Sequence, residues 1–189
     1  MVLHPVTSAE FDVELSIAYA TADNFTGRAI YRRADCWLHS DAADRLAQAI
    51  TLARPLGLRF RIFDAFRPQE AQWVLWNHTP DPGFLADPRR GSAHSRGVAI
   101  DLTLVDQTGR DLDMGTPFDA FTPLSHHGNT DISEIAQRNR HLLLGIMTAA
   151  GWDFYQNEWW HYQLFQARAR YPLLSDSTLS VPMMEPASR

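Results

Sequence analysis

The sequence has little cysteine, no excess of basic residues and no long apolar run, and each shortage excludes a class of protein. Cys36 is the only cysteine, so an internal disulfide and a cysteine-based zinc site are both impossible. A bound metal would need histidine and carboxylate ligands. The formal net charge of -5 offers no basic field for nucleic acid or an anionic membrane. We therefore expect chemistry on a small molecule or peptide.

Membrane and targeting signals are also missing. Residues 1–30 lack the basic start and apolar core of a signal peptide, and no apolar stretch reaches the roughly 18 residues that a membrane span needs. We expect a cytoplasmic protein. The length of 189 residues, with 45% hydrophobic content, predicts a single domain over residues 1–189. The segment from about residue 172 contains several Pro and Ser and is expected to be an irregular tail.

Hydrophobic periodicity predicts a mixture of helices and strands. The predicted helices cover about residues 41–54, with Ser40 as N-cap, 68–76, and 131–150, with Asp131 as N-cap. The predicted strands cover about residues 58–64 and 98–104, with a strand-like segment at 152–165, and residues 78–91 read as a loop. In the second strand, Asp101 projects away from the more apolar face.

Two short segments contain the residues best suited to metal chemistry. His94 precedes a glycine turn, and Asp101 lies on the strand that follows; His161 lies three residues after Glu158 in a separate segment. Two histidines and one carboxylate are a sufficient shell for a hydrolytic zinc, because the fourth position must stay open for water. Glu158 is then the candidate base. A regular strand would place Glu158 and His161 on opposite faces, so this assignment requires a bend.

Further residues could support this chemistry. Arg67 leaves the first strand just before a proline, where its permanently charged fork could stabilise an oxyanion, with Asp64 orienting it. Aromatic residues around His161 would partly exclude water and strengthen charge interactions at the metal. These aromatic residues are Trp159, Trp160 and Tyr162.

Each of these residues has an ordinary structural interpretation when taken alone. A single His before a strand is usually hydrogen-bonded or exposed, Asp101 could satisfy a turn, and Arg67 could simply pair with Asp64. Trp159 and Trp160 are more often core residues than pocket residues. The adjacent His126 and His127 lack a carboxylate at metal spacing and are interpreted as loop residues. Only the joint pattern favours a metal site.

The motif Ser92-x-His94-x-x-Gly97-x-Ala99-x-Asp101, followed downstream by Glu158-Trp-Trp-His161, resembles that of the VanX-type D-alanyl-D-alanine dipeptidases. These belong to a wider group of zinc D-Ala-D-Ala peptidases that share a fold with the Hedgehog signalling domain. Further matching blocks occur in the same order at residues 19–27, 64–68, 114–119 and 125–127. The resemblance therefore extends through most of the chain, from about residue 19 to residue 161.

The resemblance implies a role for each residue of the site. It makes His94, Asp101 and His161 the ligands of one zinc per chain, Glu158 the general base and Arg67 the transition-state stabiliser. It also implies that Tyr19 and Asp119 receive the substrate ammonium, while Ser92 holds the dipeptide. Some relatives have a second acidic residue after Asp119, where this chain has Ala120; if that second acid were the amine partner, the pocket would have lost a charge.

The implied fold is α+β, a small antiparallel sheet with helices packed on one side and zinc on its concave face. The implied activity is hydrolysis of a small D-amino-acid dipeptide, and a homodimer is common among close relatives. Two alternatives stay open: a zinc D,D-carboxypeptidase or endopeptidase acting on cell-wall stem peptides, and a non-catalytic zinc-binding module. The presence of both Glu158 and Arg67 argues against the module.

Overall fold

The computed structural model describes residues 2–185. Its strands are β1 (Leu3–Pro5), β2 (Glu14–Leu15), β3 (Trp37–His39), β4 (Arg59–Asp64), β5 (Ala99–Val105), β6 (Asp153–Phe154) and β7 (His161–Gln163). Its α-helices are α1 (Ser8–Phe11), α2 (Ser40–Ala53), α3 (Gln69–His78), α4 (Glu134–Ala149) and α5 (Ala167–Arg170). No helix within residues 2–185 is long and apolar enough to cross a membrane.

A five-stranded sheet in the order β2-β4-β5-β7-β6 forms the centre of the fold. All of its neighbouring strands are antiparallel except β2 and β4, because the two-residue β2 joins one edge in parallel. Helices α2 and α4 contact β4 and β5, respectively, and also contact each other, so both lie on one side of the sheet. Strands β1 and β3 form a separate pair. The predicted α+β fold with a small antiparallel sheet is confirmed.

Strands β4 and β5 follow the predicted alternation. Phe60 and Ile62 pair with Leu104 and Leu102, and all four side chains are fully buried on the apolar face of the sheet. Between Ile62 and Asp64 the register shifts, so that two residues of β4 oppose one residue of β5. This bulge pairs Asp64 with Asp101 and turns the Asp64 carboxylate to the polar face, where the alternation of β5 already places Asp101.

The starts of the two long helices correct the predicted caps. Helix α2 is capped by His39, whose Nδ1 accepts a hydrogen bond from the backbone N–H of Asp41 at 3.1 Å, and Ser40 is already helical. Helix α4 is capped by Ser133, whose hydroxyl oxygen accepts from the N–H of Ala136 at 3.1 Å. The prediction of Asp131 as N-cap was wrong because Asp131 belongs to the preceding turn, where its N–H donates to Asn129.

The C-terminal segment packs along the rest of the protein. Within residues 172–185, the only helical element is a 3₁₀ turn at Asp176–Thr178. The carboxylate of Asp176 accepts hydrogen bonds from the N–H groups of Met183 and Met184, at 2.7 and 3.0 Å. Leu179 and Met183 are buried. This segment is thus irregular in backbone but held in place by both apolar and polar contacts.

Candidate active site

The strand register brings two of the predicted ligands together. Asp101 on β5 lies directly opposite His161 on β7, so their side chains share one face of the sheet. His94 opens a 3₁₀ turn (His94–Arg96) that leads into β5. Gly97 ends this turn with φ at 69°, and a Cβ there would lie 2.6 Å from the Leu3 side chain. The glycine of the sequence motif is therefore required both by backbone angle and by space.

The ligand atoms of these residues form a compact triangle. His94 Nε2 lies 3.1 Å from His161 Nδ1 and 3.3 Å from Asp101 Oδ1, and His161 Nδ1 lies 3.0 Å from the same carboxylate oxygen. All three side chains are buried or nearly so. The group is suited to holding a metal ion. The structure thus brings together the three residues in which the sequence predicted metal ligands.

The outer nitrogens of both imidazoles face hydrogen-bond acceptors. His94 Nδ1 donates to the carbonyl oxygen of Ala65 at 2.7 Å, and His161 Nε2 donates to Gln163 Oε1 at 3.3 Å. A neutral imidazole carries one N–H, so in each ring the inner nitrogen keeps its lone pair. Two lone pairs and a carboxylate oxygen of Asp101 then converge with no proton between them. A cation bound between these three acceptor atoms would stabilise the arrangement.

The ionisation of the Asp101 carboxyl also suits a cation site. Burial alone would raise the pKa of its carboxyl, but positive charge at the inner nitrogens of His94 and His161 holds that pKa below its ordinary value, whether a proton or a bound cation carries the charge. Arg67 adds a further positive charge, with Nη2 3.5 Å from Asp101 Oδ2. Asp101 therefore stays ionised, as a carboxylate ligand must.

Glu158 lies beside the triangle without belonging to it. The chain turns between β6 and β7, and this turn supplies the bend that the sequence interpretation required. Glu158 Oε2 lies 3.8 Å from His161 Nδ1, and the side chain is buried. Burial raises the pKa of Glu158 well above its ordinary value, and the nearby Asp101 and Asp119 raise it further. Glu158 is therefore a buried carboxylate that lies next to His161 but outside the triangle.

Arg67 is held in a fixed orientation at the end of β4. Its Nε donates to Asp64 Oδ2 at 2.8 Å and its Nη1 donates to Gln72 Oε1 at 3.0 Å. Its Cζ lies 5.0 Å from the centre of the Tyr19 ring. Asp64 also accepts from the hydroxyl of Tyr31 at 3.0 Å. The guanidinium is thus paired with Asp64, as the structural interpretation held, and its Nη2 is directed toward Asp101 in the His94, Asp101 and His161 cluster.

The remaining predicted residues lie at the same cavity. The Tyr19 hydroxyl donates to Asp119 Oδ2 at 2.9 Å, and Asp119 has a left-handed backbone with φ at 58°. Burial and the nearby charge of Asp101 raise the pKa of Asp119 to about 8. Ser92 Oγ accepts from the N–H of His94 at 3.1 Å. The cavity has a volume of about 580 Å³, and its walls include all eight predicted residues: Tyr19, Arg67, Ser92, His94, Asp101, Asp119, Glu158 and His161.

The aromatic residues near His161 divide between pocket and core. Trp160 lines the cavity, whereas Trp159 is buried beneath it. Tyr162 was wrongly expected near the metal: it pairs with Ile100 on β5, and strand alternation points it to the opposite face from His161.

Two supporting residues, Gln72 and Gln163, were missed by the sequence analysis. Gln163 could have been found, because it follows His161 by two residues and shares its face of the strand. Gln72 carried no local signal, because its contact with Arg67 joins helix α3 to the end of β4.

Comparisons with known proteins place the chain among peptidases. A family profile described as D-ala-D-ala dipeptidase matches residues 1–182. The chain is 51% identical over 165 residues to the D-alanyl-D-alanine dipeptidase of Escherichia coli, covering 87% of this chain and 85% of that protein. It is 34% identical over 170 residues to the protein of the same name from Enterococcus faecium, covering 77% and 83%.

Solved structures also include a similar chain. One match is a mutant of the vancomycin resistance D,D-pentapeptidase VanY in complex with Zn(II), with a TM-score of 0.45, 16% identity, and coverage of 88% of this chain and 85% of that one. The family assignment rests instead on the sequence matches, which extend over most of the chain. By these matches, the chain belongs to the D-ala-D-ala dipeptidase family.

Proposed function

We propose that the protein is a zinc-dependent dipeptidase that hydrolyses D-alanyl-D-alanine to two molecules of D-alanine. The observation that carries the proposal is the triangle of His94, Asp101 and His161 acceptor atoms with the buried Glu158 carboxylate beside it. The names of the relatives from Escherichia coli and Enterococcus faecium support the choice of substrate.

The dimensions of the triangle support zinc as the metal, with one ion per chain. Zinc bonds to histidine nitrogen and carboxylate oxygen are about 2.0–2.1 Å long, so the edges of a tetrahedral shell are about 3.3 Å. The observed edges are 3.0, 3.1 and 3.3 Å. Three protein ligands leave a fourth position for water, and bound zinc would lower the pKa of that water to about 7 and polarise the substrate carbonyl.

Glu158 is proposed to move the proton. Its carboxylate lies close to the cluster but outside it, where it can take a proton from the attacking water and deliver it to the leaving amine. Burial raises its pKa, so the ionised carboxylate is a stronger base than a solvated glutamate.

Arg67 is proposed to stabilise the developing negative charge on the substrate oxygen. Asp64 and Gln72 fix two of its nitrogens before substrate arrives, so little reorganisation is needed during the reaction.

Tyr19 and Asp119 are proposed to bind the substrate ammonium. An ammonium beside Asp119 would favour the ionised carboxylate and so offset the raised pKa of that group. Ala120 has no charge to offer, and its carbonyl oxygen accepts a hydrogen bond from Ser125. Ser92 Oγ uses a lone pair for the N–H of His94, which leaves its hydroxyl proton free to bind the dipeptide.

Three aromatic side chains are proposed to close the amine end of the cavity, and Phe84 among them lines its wall. The Phe121 ring stacks on Phe84 with centroids 4.9 Å apart and lies 4.9 Å from the ring of Phe25. These three rings join the loop at residues 78–91 to the segments that carry Tyr19 and Asp119. A longer peptide would have to pass through this cluster. The closed amine end therefore favours a free dipeptide over a cell-wall stem peptide.

Two hydrogen bonds hold the loop at residues 78–91 to the turn that carries Glu158. The hydroxyl of Tyr155 and the amide of Asn157 both donate to the carbonyl oxygen of Gly83, at 3.1 and 3.0 Å. The Gln72 amide fixes the same loop by donating to Ala86. This loop, which forms one wall of the cavity, is thus attached both to the turn that carries Glu158 and to helix α3.

A substrate panel tests the proposed function. The protein with zinc bound is assayed on D-Ala-D-Ala, on L-Ala-L-Ala and on a pentapeptide stem ending in D-Ala-D-Ala. We expect hydrolysis of the first substrate only, because the amine end is closed and the site matches the named relatives. Efficient cleavage of the stem peptide would support the carboxypeptidase alternative instead, and stoichiometric zinc without hydrolysis of any substrate would support the binding module.

Weakening the loop attachment should relax this selectivity. The double variant Tyr155→Phe with Asn157→Ala removes both hydrogen bonds to Gly83, so we expect a larger ratio of tripeptide to dipeptide hydrolysis. The matched control is Asn139→Ala, which also removes a hydrogen bond from a side-chain amide to a backbone carbonyl oxygen but lies away from the cavity. An unchanged ratio in the double variant would show that this attachment does not set substrate length.

A further inference from the structure

A single charged residue interrupts the buried stripe of helix α4. Arg140 is buried and lies on the same face as Ala136, Leu143 and Met147. Within residues 2–185 it makes no ion pair with a carboxylate within 4.0 Å. Burial lowers the pKa of Arg140 to about 10, although Asp113 partly opposes this shift. A guanidinium is therefore retained where burial disfavours its charge.

The donors of Arg140 are used on a loop of the active site. Nε donates to the carbonyl oxygen of Met114 at 2.7 Å, and Nη1 donates to the carbonyl oxygens of Leu124 and His126 at 2.8 and 3.2 Å. Nη2 donates to Thr116 Oγ1 at 3.4 Å. One side chain thus binds both ends of the segment at residues 114–126, and Asp119 lies between those ends.

Thr116 and Ser125 extend these contacts to the two acidic residues. Thr116 Oγ1 accepts from Trp159 Nε1 at 2.8 Å, and Trp159 directly follows Glu158. The carbonyl oxygen of Ser125 accepts from the N–H of Trp159 at 3.1 Å. The hydroxyl of Ser125 donates to the carbonyl oxygen of Ala120 at 2.6 Å, and Ala120 directly follows Asp119. Asp119 and Glu158 are thus connected through one network that lies behind the cavity.

We propose that Arg140 is a positioning residue that fixes Asp119 and Glu158 relative to each other. The proposal rests on the function proposed above, since it assigns Asp119 to the substrate ammonium and Glu158 to proton transfer. Arg140 does not line the active-site cavity. It acts through the backbone and hydroxyl groups that it holds and through the ring of Trp159, whose centre lies 5.9 Å from its Cζ. A planar fork with several donors suits this task, and a lysine ammonium could reach only part of the acceptor set.

The test compares steady-state kinetics of Arg140→Met and Arg140→Lys with the unchanged protein. For Arg140→Met we expect kcat to fall and KM to rise, with kcat/KM lower by about 10- to 100-fold, because small displacements of reacting groups carry losses of this size. The kcat/KM of Arg140→Lys should lie between that of Arg140→Met and that of the unchanged protein. Zinc content should stay unchanged, because His94, Asp101 and His161 are not part of the network.

The matched control is Leu143→Ala on the same buried face of α4. It creates a cavity and lowers the melting temperature, but it removes no hydrogen bond to the loop at residues 114–126. We expect its kcat and KM, measured well below its melting temperature, to stay within about twofold of the unchanged protein. Equal kinetic losses in Leu143→Ala and Arg140→Met at equal loss of melting temperature would reduce Arg140 to a structural role and overturn the proposal.

A second variant covers the case in which Arg140→Met does not fold. Thr116→Val removes the hydroxyl that joins Arg140 to Trp159 and keeps a similar shape. We expect Thr116→Val to lower kcat/KM, as Arg140→Met does. Folded Arg140→Lys and Thr116→Val proteins with unchanged kcat and KM would overturn the proposal. Inactivity of the unchanged zinc protein on D-Ala-D-Ala would instead contradict the proposed function, so the two failures are distinguishable.

Discussion

Glu158→Gln is expected to lower kcat for D-Ala-D-Ala by about 100-fold or more, on the usual scale of general acid–base catalysis. The amide is nearly the same size as the carboxylate but cannot accept the proton of the attacking water. Zinc content should stay near that of the unchanged protein, because the structure places Glu158 beside the ligand triangle and outside it. Loss of turnover with retained metal is the expected signature of a base.

The kcat and the zinc content should be measured on the same preparation, with the fold checked by circular dichroism. Glu134→Gln is the matched control, because it makes the same chemical change at an exposed position on α4 and should leave kcat unchanged. Near-normal turnover in Glu158→Gln would remove the residue from proton transfer. Loss of zinc with an intact fold would make Glu158 a ligand and reopen the assignment of Asp101.

Arg67→Ala is expected to lower kcat by about 100- to 1,000-fold, the range measured when an oxyanion donor is removed. KM should change less, because the guanidinium is proposed to bind the developing oxyanion more strongly than the ground-state carbonyl. The variant also leaves Asp64 buried without its charged partner, although the Tyr31 hydroxyl still donates to it, so some loss of stability is expected. Kinetics should therefore be measured well below the melting temperature of the variant.

Arg67→Lys separates charge from geometry. A lysine ammonium keeps the positive charge but cannot bind Asp64 and Gln72 and also face the substrate, so we expect it to restore activity only in part. Arg59→Lys is the matched control, because Arg59 lies on β4, the strand that leads to Arg67, and is paired with Glu14 away from the cavity. An unchanged kcat in Arg67→Ala would exclude the residue from transition-state stabilisation.

Features that depend on local pattern were predicted well. The alternation around Phe60 and Ile62, and the apolar run ending at Leu104, located β4 and β5 to within about a residue, because a half-buried strand shows its period directly. The clustering of His94, Asp101 and His161 was also predicted, although each residue alone had an ordinary structural interpretation.

Features that depend on a distant partner could not be predicted in the same way. The bulge that aims Asp64 at the polar face exists only in the pairing of β4 with β5. The contacts of Arg140 with the loop at residues 114–126 join elements that are separated along the chain. The contact of Gln72 with Arg67 spans only five residues, but it depends on how the chain turns from β4 into α3. Ser133 was overlooked as a helix cap because Asp131 has Glu134 three residues later, as the capping box requires, whereas Ser133 has Ala136 there.

The most direct test of the account is zinc titration of the metal-free protein, with hydrolysis of D-Ala-D-Ala measured at each step. The account predicts no activity without metal and activity that rises in proportion to added zinc until one ion is bound per chain. The double variant His94→Ala with His161→Ala, whose two changes remove two corners of the ligand triangle, should hold no stoichiometric zinc. Full activity in the metal-free protein, or stoichiometric zinc in the double variant, would contradict the account.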